Sequence, residues 1–378
     1  MIKIYIMLFK KVITSVFLCV FLNVVASAQL MQIPNGDVNY KSNTGRRVGV
    51  TDIEIKWSAP GVKGREGKIW GTDVAYYGFE VLGFGSDVKS PWRAGADEST
   101  TISFSTDVTV NGATLPAGEY GFFIALYPDS CTLIFNQNTK GWGSYFYNSQ
   151  MDVLRVSTKQ QKDLPSSVER LTYSFANQKP ESVDVVLEWE RWKIPFTVKV
   201  DLIKTTLASI QTQLSGAMGF DPPSLEAAAG WCLQNNVNTE QALHWINTAV
   251  NPSLGGVKTF RALSTTAGLL MKLNRQKEAD SIMLLAIENA TVIEMHSYGR
   301  QLLGQGKIKE AMAIFEKNYT KHKGAWPTNA GLMRGYSALG NYKKALEHAK
   351  LALAQAPDQG NKKTIEAAIQ KLSEGKPL

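Results

Sequence analysis

The sequence predicts a chain of two folds, an antiparallel β-sandwich or barrel-like domain followed by a domain of α-helical repeats. Three observations favour this class. Hydrophobic and polar residues alternate along most of the first half, the hydrophobic period becomes helical after Asp201, and two segments of the second half are related by a spacing of 34 residues. We place a signal peptide at 1–28, a flexible segment at 29–45, the β domain at 46–201 and the helical repeats at 202–378.

The chain begins with the pattern of a secretory signal peptide. Lys10 and Lys11 are positively charged, VITSVFLCVFLNVV is apolar, and the small residues ASA at 26–28 fit a cleavage site, which places the mature start near Gln29. The alternative is a membrane anchor, but the apolar run is shorter than the roughly 20 residues that span a bilayer. We therefore expect an exported protein, periplasmic or extracellular, with no transmembrane anchor after cleavage.

Cleavage leaves two cysteines, Cys131 and Cys232, one in each predicted domain. An exported chain meets oxidising conditions, in which disulfides persist. Because the two cysteines lie in different domains, we expect buried, small hydrophobic side chains rather than a disulfide.

The charge is uneven between the two halves. The whole chain carries +8; residues 29–201 carry 18 Lys and Arg against 20 Asp and Glu, and residues 202–378 carry 20 against 13. The helical half is therefore basic by +7, which favours an acidic partner or is simply a solvated helical surface. No basic cluster is interleaved with aromatic residues, so nothing indicates a nucleic-acid partner.

Alternating hydrophobic residues predict about nine short strands in the first half. In SVDVVLEW the hydrophobic residues from Val183 to Trp189 share one face, and TDIEIKW and KIPFTVKVD show the same pattern. Turn signals such as the NG at 111–112 separate the runs. Strands that follow one another with no helix between them are typical of an antiparallel sandwich or barrel.

The helical half contains a repeat. GKIKEAMAIF and GNYKKALEHA align so that Ala311 falls on Ala345, 34 residues later, and this segment resembles the tetratricopeptide repeat family. QKEADSIMLLAI and TEQALHWINTAV look like degenerate earlier copies, with Ala279 and Ala242 at the same position. NKKTIEAAIQKLSEG is predicted to be a final covering helix. The alternative is a set of helical hairpins without a repeat.

Residues 46 to about 201 resemble an exported bacterial family called domain of unknown function 2911. The resemblance rests on RRVGVTDIEIKWSAPGVKGREGKIWG, PWRAGADESTTISFSTDVTVNGATLPAGEYGFF, FNQNTKGWGSYFY, DVLRV and VLEWERWKIPF, in this order. It implies export and a β domain that often precedes helical repeats, but no activity. The chain departs from the family in the inserted TDVAYYGFEVLGFGSDVKSP and in Ala94 and Asp97 of WRAGADE, where the family tends towards WRTGANE.

The residue types exclude several kinds of site from the β half. All four histidines, His244, His296, His322 and His348, lie in the helical half, so the β half has no imidazole for a catalytic triad or a zinc site. Its cysteine, Cys131, therefore has no histidine partner there. The chain contains no GxSxG, HExxH, Walker A or EF-hand motif. We expect no metal and no cofactor.

Carboxylates and cations around SPWRAGADE and GVKGREGK remain as candidates. The candidate ligand-binding residues are Lys63, Arg65, Trp92, Arg93, Asp97 and Glu98. Three interpretations are open: charge pairs that fix the long loop 59–99 to the sheet, a pocket for a small ligand or glycan, and carboxylate catalysis.

For the first interpretation we expect Arg93 to pair with Asp97 or Glu98. Neighbouring residues on a strand point to opposite faces, so Asp97 and Glu98 are not by themselves the facing carboxylate pair that glycoside hydrolysis needs. Aromatic side chains that could stack on a sugar, or could instead fill the core, are Trp92, Trp142, Tyr145 and Tyr147.

The repeat register predicts a partner-binding groove. The first helix of each pair lines the concave face in the tetratricopeptide family, and the register places these helices at roughly 292–305 and 326–339. The positions facing the groove are His296, Arg300 and Leu303, then Ala330, Arg334 and Ser337. Two guanidinium groups on neighbouring helices suit a carboxylate or an acidic peptide. The alternative is that both arginines pair with nearby glutamates such as Glu294 or Glu310.

These observations favour an exported, non-enzymatic interaction protein, in which a β domain is joined to a repeat scaffold for a protein or acidic peptide partner. The alternative is a carboxylate-dependent hydrolase or a carbohydrate-binding module that acts on envelope or extracellular glycans, with the β half as its site.

Overall fold

The computed structural model describes residues 39–378, in which thirteen β-strands are followed by ten α-helices. The strands are β1 Tyr40–Val48, β2 Thr51–Ala59, β3 Glu80–Val81, β4 Lys89–Ser90, β5 Ala96–Phe104, β6 Val108–Val110, β7 Ala113–Leu115, β8 Gly118–Leu126, β9 Cys131–Asn136, β10 Asp152–Thr158, β11 Val168–Lys179, β12 Ser182–Glu190 and β13 Trp192–Lys199. The helices are α1 Leu202–Leu214, α2 Pro222–Asn235, α3 Thr239–Ala249, α4 Phe260–Lys272, α5 Gln276–Asn289, α6 Val292–Gly304, α7 Ile308–Lys321, α8 Trp326–Ala338, α9 Tyr342–Gln355 and α10 Gln359–Ser373.

The strands form two main antiparallel sheets. One has the order β1-β2-β5-β8-β9-β10, the other the order β11-β12-β13-β6-β7, and β3 and β4 form a small ribbon. The prediction of an antiparallel β half followed by helical repeats is confirmed. The barrel-like alternative is wrong, because both sheets are open at their edges and neither closes on itself.

Aromatic side chains join the two sheets in one hydrophobic core. The ring of Phe122 on β8 lies 5.5 Å from that of Phe196 on β13, in the other sheet. Trp57 on β2 similarly meets Tyr173 on β11 at 5.1 Å. This packing follows from the alternation in the sequence, since every second residue of a strand faces the same side.

The long loop between β2 and β5 is fastened to the second sheet through Glu190. This residue is only 5% exposed, and its carboxylate accepts hydrogen bonds from the Gly67 backbone N–H and the Trp70 indole, both at 3.1 Å. The Trp70 ring stacks on Trp192 at 4.6 Å. A buried carboxylate with two donors is a structural anchor, because an unsatisfied carboxylate in this place would cost several kcal/mol, on the order of 2–5.

The change from strand to helix occurs at Asp201. Its side chain accepts a hydrogen bond from the Lys204 backbone N–H at 2.9 Å and so caps the first turn of α1. The capping oxygen satisfies an amide that has no partner within the helix, and the helical period therefore begins directly after this residue.

Helices α2 to α9 form four antiparallel pairs in a tetratricopeptide-like arrangement, and α10 covers the last pair. In every pair the fourth residue of the second helix is a fully buried alanine: Ala242, Ala279, Ala311 and Ala345. The turn before the second helix contains Gly306 in one pair and Gly340 in the next, both with φ of 74°. A left-handed residue is needed there to end one helix and start the next, which glycine allows without strain.

Several expectations concern the beginning of the chain and its cysteines. The signal peptide and its cleavage site lie outside the described residues. Strand β1 begins at Tyr40, inside the segment 29–45 that we expected to be flexible, because this strand pairs with the whole of β2. Cys131 and Cys232 are both buried, and neither forms a disulfide within the described residues. No helix within residues 39–378 is long and apolar enough to cross a membrane.

Candidate functional site

The predicted first helices of the last two complete repeats are α6 and α8, and they pack against each other. Phe315 of α7 sets their spacing. Its ring lies directly over Gly299 of α6, and a Cβ atom placed on Gly331 of α8 would lie 2.6 Å from it. Glycines at these two positions let the ring enter between the helices, and Phe315 is fully buried as a result.

Three polar side chains of these helices form what we call the basic cluster: His296 and Arg300 of α6 and Arg334 of α8. Arg300 is exposed, whereas His296 and Arg334 are half-buried. Within residues 39–378, Nδ1 of His296 and Nε of Arg334 are buried atoms with no hydrogen-bond partner. The described part of the chain also places no carboxylate in an ion pair with either arginine. The cluster is thus positively charged and without an internal counter-ion.

The three side chains influence one another. Burial lowers the pKa of His296 to about 4, and the nearby charge of Arg334 contributes to the same shift. Burial and the charge of Arg300 lower the pKa of Arg334 as well, although a guanidinium stays protonated at any physiological pH. At pH 7 the cluster therefore holds two positive guanidinium groups beside a neutral imidazole.

The glutamates that we considered as alternative partners of the arginines are engaged elsewhere. Glu294 forms a capping box with Thr291 at the start of α6, where its Oε2 accepts from the Thr291 backbone N–H at 2.8 Å. Glu310 lies 3.9 Å from Lys307, one helical turn away. The sequence alternative of internal Arg–Glu pairs is therefore wrong for both glutamates named.

The other predicted groove positions are less open. Leu303 is half-buried and packs on the core around Phe315, and Ala330 and Ser337 are only 5% and 3% exposed. Ser337 nevertheless has a contact that bears on function: its Oγ accepts a hydrogen bond from the backbone N–H of Leu378 at 3.1 Å. One backbone amide of the chain thus lies against α8, one helical turn beyond Arg334.

In the β half, Arg93 does not pair with a carboxylate. Its guanidinium donates to the backbone carbonyl of Asp97 at 3.1 Å and lies over the Tyr145 ring at 5.2 Å from the ring centre. Gly143 lies directly against this guanidinium, where any side chain would collide with it. The expected ion pair with Asp97 or Glu98 is therefore wrong, because the planar guanidinium is held between a carbonyl and an aromatic face.

The two carboxylates of the same motif have other partners. Asp97 has a left-handed backbone with φ of 56°, and its carboxylate accepts from the Asn39 side-chain amide at 3.1 Å. Glu98 accepts from Lys41 at 2.8 Å and from Ser58 at 3.2 Å. The hydrogen bond from Lys41 lowers the pKa of Glu98. A carboxyl group that ionises more readily than usual is poorly suited to be a general acid near neutral pH.

The remaining candidates serve the loop. Arg65 donates to the carbonyls of Val62 and Gly61 at 3.0 and 2.7 Å and so closes a tight turn. Lys63 has φ of 52° and donates its backbone N–H to Glu169 at 3.1 Å. Trp92 is 2% exposed and belongs to the core. Arg65 and Lys63 thus help to hold the loop, and Trp92 fills the core.

A pocket of about 370 Å³ lies beside Glu98, between strands β1, β2 and β5. Sequence reasoning identified only one of its polar residues. The others that line it are Lys41, Ser42, Asn43, Lys56, Ser58 and Ser99. Lys41 and Glu98 are 57 positions apart and meet only because β2 pairs with both β1 and β5. No local pattern in the sequence indicated this contact, because Lys41 lies in the segment 29–45 that we expected to be flexible.

The aromatic residues considered for sugar stacking divide between core and surface. Trp92 and Tyr147 are buried, Tyr145 is half-buried beneath Arg93, and Trp142 is 53% exposed.

Among the described residues, no group of three or more His, Cys, Asp or Glu side chains is arranged to hold a metal ion.

The role of Arg93 leads to a prediction about stability. We expect Arg93→Ala to lower the free energy of unfolding by about 1–2 kcal/mol, since it removes a hydrogen bond to a backbone carbonyl and the stacking on Tyr145. Thermal denaturation of a protein that comprises residues 29–378 checks this. Arg47→Ala is a matched control, because Arg47 forms only an exposed pair with Asp52 and its loss should cost less than about 1 kcal/mol. Equal effects of the two changes would contradict the anchoring role of Arg93.

Comparison with known proteins confirms the family resemblance of the β half. Residues 40–198 match the model of a family described as a protein of unknown function, DUF2911. No curated protein matches this chain. Among solved structures, MamA (residue 41 to the end) from Desulfovibrio magneticus RS-1 is 15% identical, covering 42% of this chain and 95% of that chain with a TM-score of 0.26. YrrB, described as a TPR protein with an unusual peptide-binding site, is 13% identical, covering 44% of this chain and 89% of that chain, also with a TM-score of 0.26.

Proposed function

We propose that this chain is an exported, non-enzymatic interaction protein that binds a protein or acidic peptide at the basic cluster of its helical repeats. The observation that carries the proposal is the pair Arg300 and Arg334, which lie on successive first helices without an ion-pair partner among the described residues. Of the two, the half-buried guanidinium of Arg334 gains more from an anionic ligand, because a charge-assisted bond in a partly buried place is stronger than one in water.

Two further observations support a peptide as the ligand. The backbone N–H of Leu378 donates to the Oγ of Ser337, so α8 already binds one backbone amide a helical turn beyond Arg334. The helical half carries +7, which attracts acidic partners over a distance of about 8 Å at physiological salt. A peptide with carboxylate side chains satisfies both features at once.

The experiment that tests the proposed function measures binding of an acidic peptide to the mature chain. Hexaglutamate is the probe, hexalysine the charge-reversed control, and isothermal titration calorimetry the method. Binding of hexaglutamate that weakens with salt, with none of hexalysine, supports the proposal. Binding of neither peptide would contradict it. A pull-down from the envelope fraction, eluted with hexaglutamate, then identifies natural partners.

Export is part of the proposal and has its own test. The apolar run before ASA at 26–28 is the pattern that signal peptidases cleave, so we predict that the exported protein begins at or near Gln29. N-terminal sequencing of protein from the periplasm or medium checks this. Recovery of the exported protein with Met1 intact would contradict it.

A second candidate function is binding of a small polar ligand, such as a glycan unit, in the β half. The pocket beside Glu98 favours it, because hydroxyl, amide and ammonium groups converge there and a sugar needs both donors and acceptors. A carboxylate-dependent hydrolase has less support, since Glu98 is bonded to Lys41 and Ser58 and is the one acidic residue among those that line this pocket in the described chain.

A further inference from the structure

The basic cluster contains an imidazole, that of His296, beside its two arginines. Contacts between the arginines and a carboxylate would not involve this imidazole. Within residues 39–378 its Nδ1 is buried and has no hydrogen-bond partner. Its ring lies 6.1 Å from Phe315, so the imidazole is held in place by packing. An unsatisfied buried nitrogen destabilises the free protein, and histidine gains or loses a proton near neutral pH more easily than any other residue type.

The groups that face His296 come from three helices. Its own helix contributes Arg300, α8 contributes Arg334 and the backbone carbonyl of Pro327, and α7 contributes the uncharged ring of Phe315. Burial is the main cause that lowers the pKa of His296 to about 4, the two guanidinium charges act in the same direction, and the carbonyl opposes them. The imidazole is therefore neutral at pH 7 because two positive charges and burial disfavour its protonation.

We propose that an anionic partner bound at the basic cluster causes His296 to take up a proton, so that the partner is held more tightly as the pH falls. The inference rests on the proposed function, because it concerns the same site. A carboxylate between Arg300 and Arg334 neutralises the charges that oppose an imidazolium. The proton comes from the solvent, and the resulting N–H can donate to the anion in the cluster.

The sign of the pH dependence follows from linkage. His296 binds a proton less readily in the free protein than in the complex, so the complex carries more protons. Affinity must then rise as the pH falls through the pKa of the bound state, and it must level off below about 4, where the free protein is also protonated. If the partner raises the pKa of His296 from about 4 to about 6, half a unit below the ordinary value of about 6.5, the gain in affinity between pH 7.5 and pH 5 is about tenfold.

The test needs a probe that does not titrate in this range. A peptide of six cysteic acid residues is suitable, because its sulfonates stay charged where glutamate side chains take up protons. Calorimetry of the mature chain at pH 5.5, in two buffers with different ionisation enthalpies, measures the protons taken up on binding. We expect uptake of roughly half a proton or more, and about tenfold tighter binding at pH 5 than at pH 7.5.

Variants and a second measurement make the assignment specific. His296→Gln should bring the ratio of the affinities at pH 5 and pH 7.5, both measured on the same variant, close to one, whatever its affinity at pH 7.5. The matched change His244→Gln, at an exposed histidine of α3, should leave that ratio as it is in the unaltered chain. If His296→Gln does not fold, the histidine NMR signals of the unaltered chain measure the proton uptake instead. When the cysteic acid peptide is bound, only the signal of His296 should titrate at a higher pH than it does in the free protein.

The outcomes separate this inference from the proposed function. Binding that depends on Arg300 and Arg334 but releases or takes up no proton would overturn the role of His296 and leave the proposed function standing. Failure of both the sulfonate and the glutamate peptide to bind would overturn both. Proton uptake that persists in His296→Gln would assign the effect to another group and also overturn the inference.

Discussion

Replacing Arg300 and Arg334 together by alanine is expected to weaken binding of hexaglutamate by more than tenfold and to flatten its dependence on salt. Both arginines lie on first helices of successive repeats and have no ion-pair partner among the described residues. Each guanidinium–carboxylate bond contributes roughly 1.5–3 kcal/mol, and a tenfold loss needs about 1.4 kcal/mol. Calorimetry at two salt concentrations measures both effects.

A matched control removes two positive charges elsewhere. Arg47→Ala combined with Arg275→Ala is suitable, because each of these arginines is exposed and paired with a nearby acid, Asp52 or Glu278. This variant should bind hexaglutamate almost as well as the unaltered chain. If both double variants lost the same affinity, binding would reflect net charge alone, and the basic cluster would not be a site. Circular dichroism confirms that helical content is unchanged.

Replacing Phe315 by alanine is expected to cause the largest loss of stability, about 3–5 kcal/mol, since it removes a fully buried ring from between α6 and α8. In a repeat array each pair depends mainly on its neighbours, so the melting temperature of the helical half should fall by roughly 10 °C. The change also alters the spacing between Arg300 and Arg334, so affinity for the acidic peptide should fall too. Thermal melting followed by the helical circular dichroism signal measures the first effect.

The matched control for this prediction is Phe220→Ala. Phe220 is 74% exposed and precedes α2, and surface substitutions of this kind usually change stability by less than about 0.5 kcal/mol. A loss of stability in Phe315→Ala no greater than in Phe220→Ala would show that the ring is not the element that spaces the two helices.

The fold was largely predictable from local patterns in the sequence. The alternation in SVDVVLEW produced a strand, and the repeat register located α6 and α8 within one residue of their ends, because glycine turns and small buried alanines recur at fixed spacing. The order of the strands in the sheets could not be predicted. No local sequence pattern indicates that β5 pairs with β2 and β8 rather than with its neighbour β6. Pairing between distant strands depends on the packing of the whole core, and the alternation of hydrophobic residues within one strand does not show which strands pair.

The candidate site was predictable only in part, for a related reason. Arg300 and Arg334 occupy equivalent positions of successive repeats, 34 residues apart. Because successive repeats stack on one another, this spacing predicted that the two residues would be neighbours. The same reasoning failed for Arg93, whose partners are a backbone carbonyl and the Tyr145 ring. Residue types suggest charge pairs, but they do not show which backbone groups are left free to accept.

Direct contact of Arg300 and Arg334 with the partner is tested by NMR of the arginine Nε–Hε groups. A protein that comprises residues 29–378 is labelled at its arginines and titrated with hexaglutamate, with assignments taken from single Arg→Lys variants. We predict that the Nε–Hε signals of Arg300 and Arg334 move downfield and saturate together, while those of Arg47 and Arg275, already bonded to carboxylates, stay in place. Signals of Arg300 and Arg334 that remain unchanged when the probe is bound, or that move no more than those of the other exposed arginines, would contradict the claim.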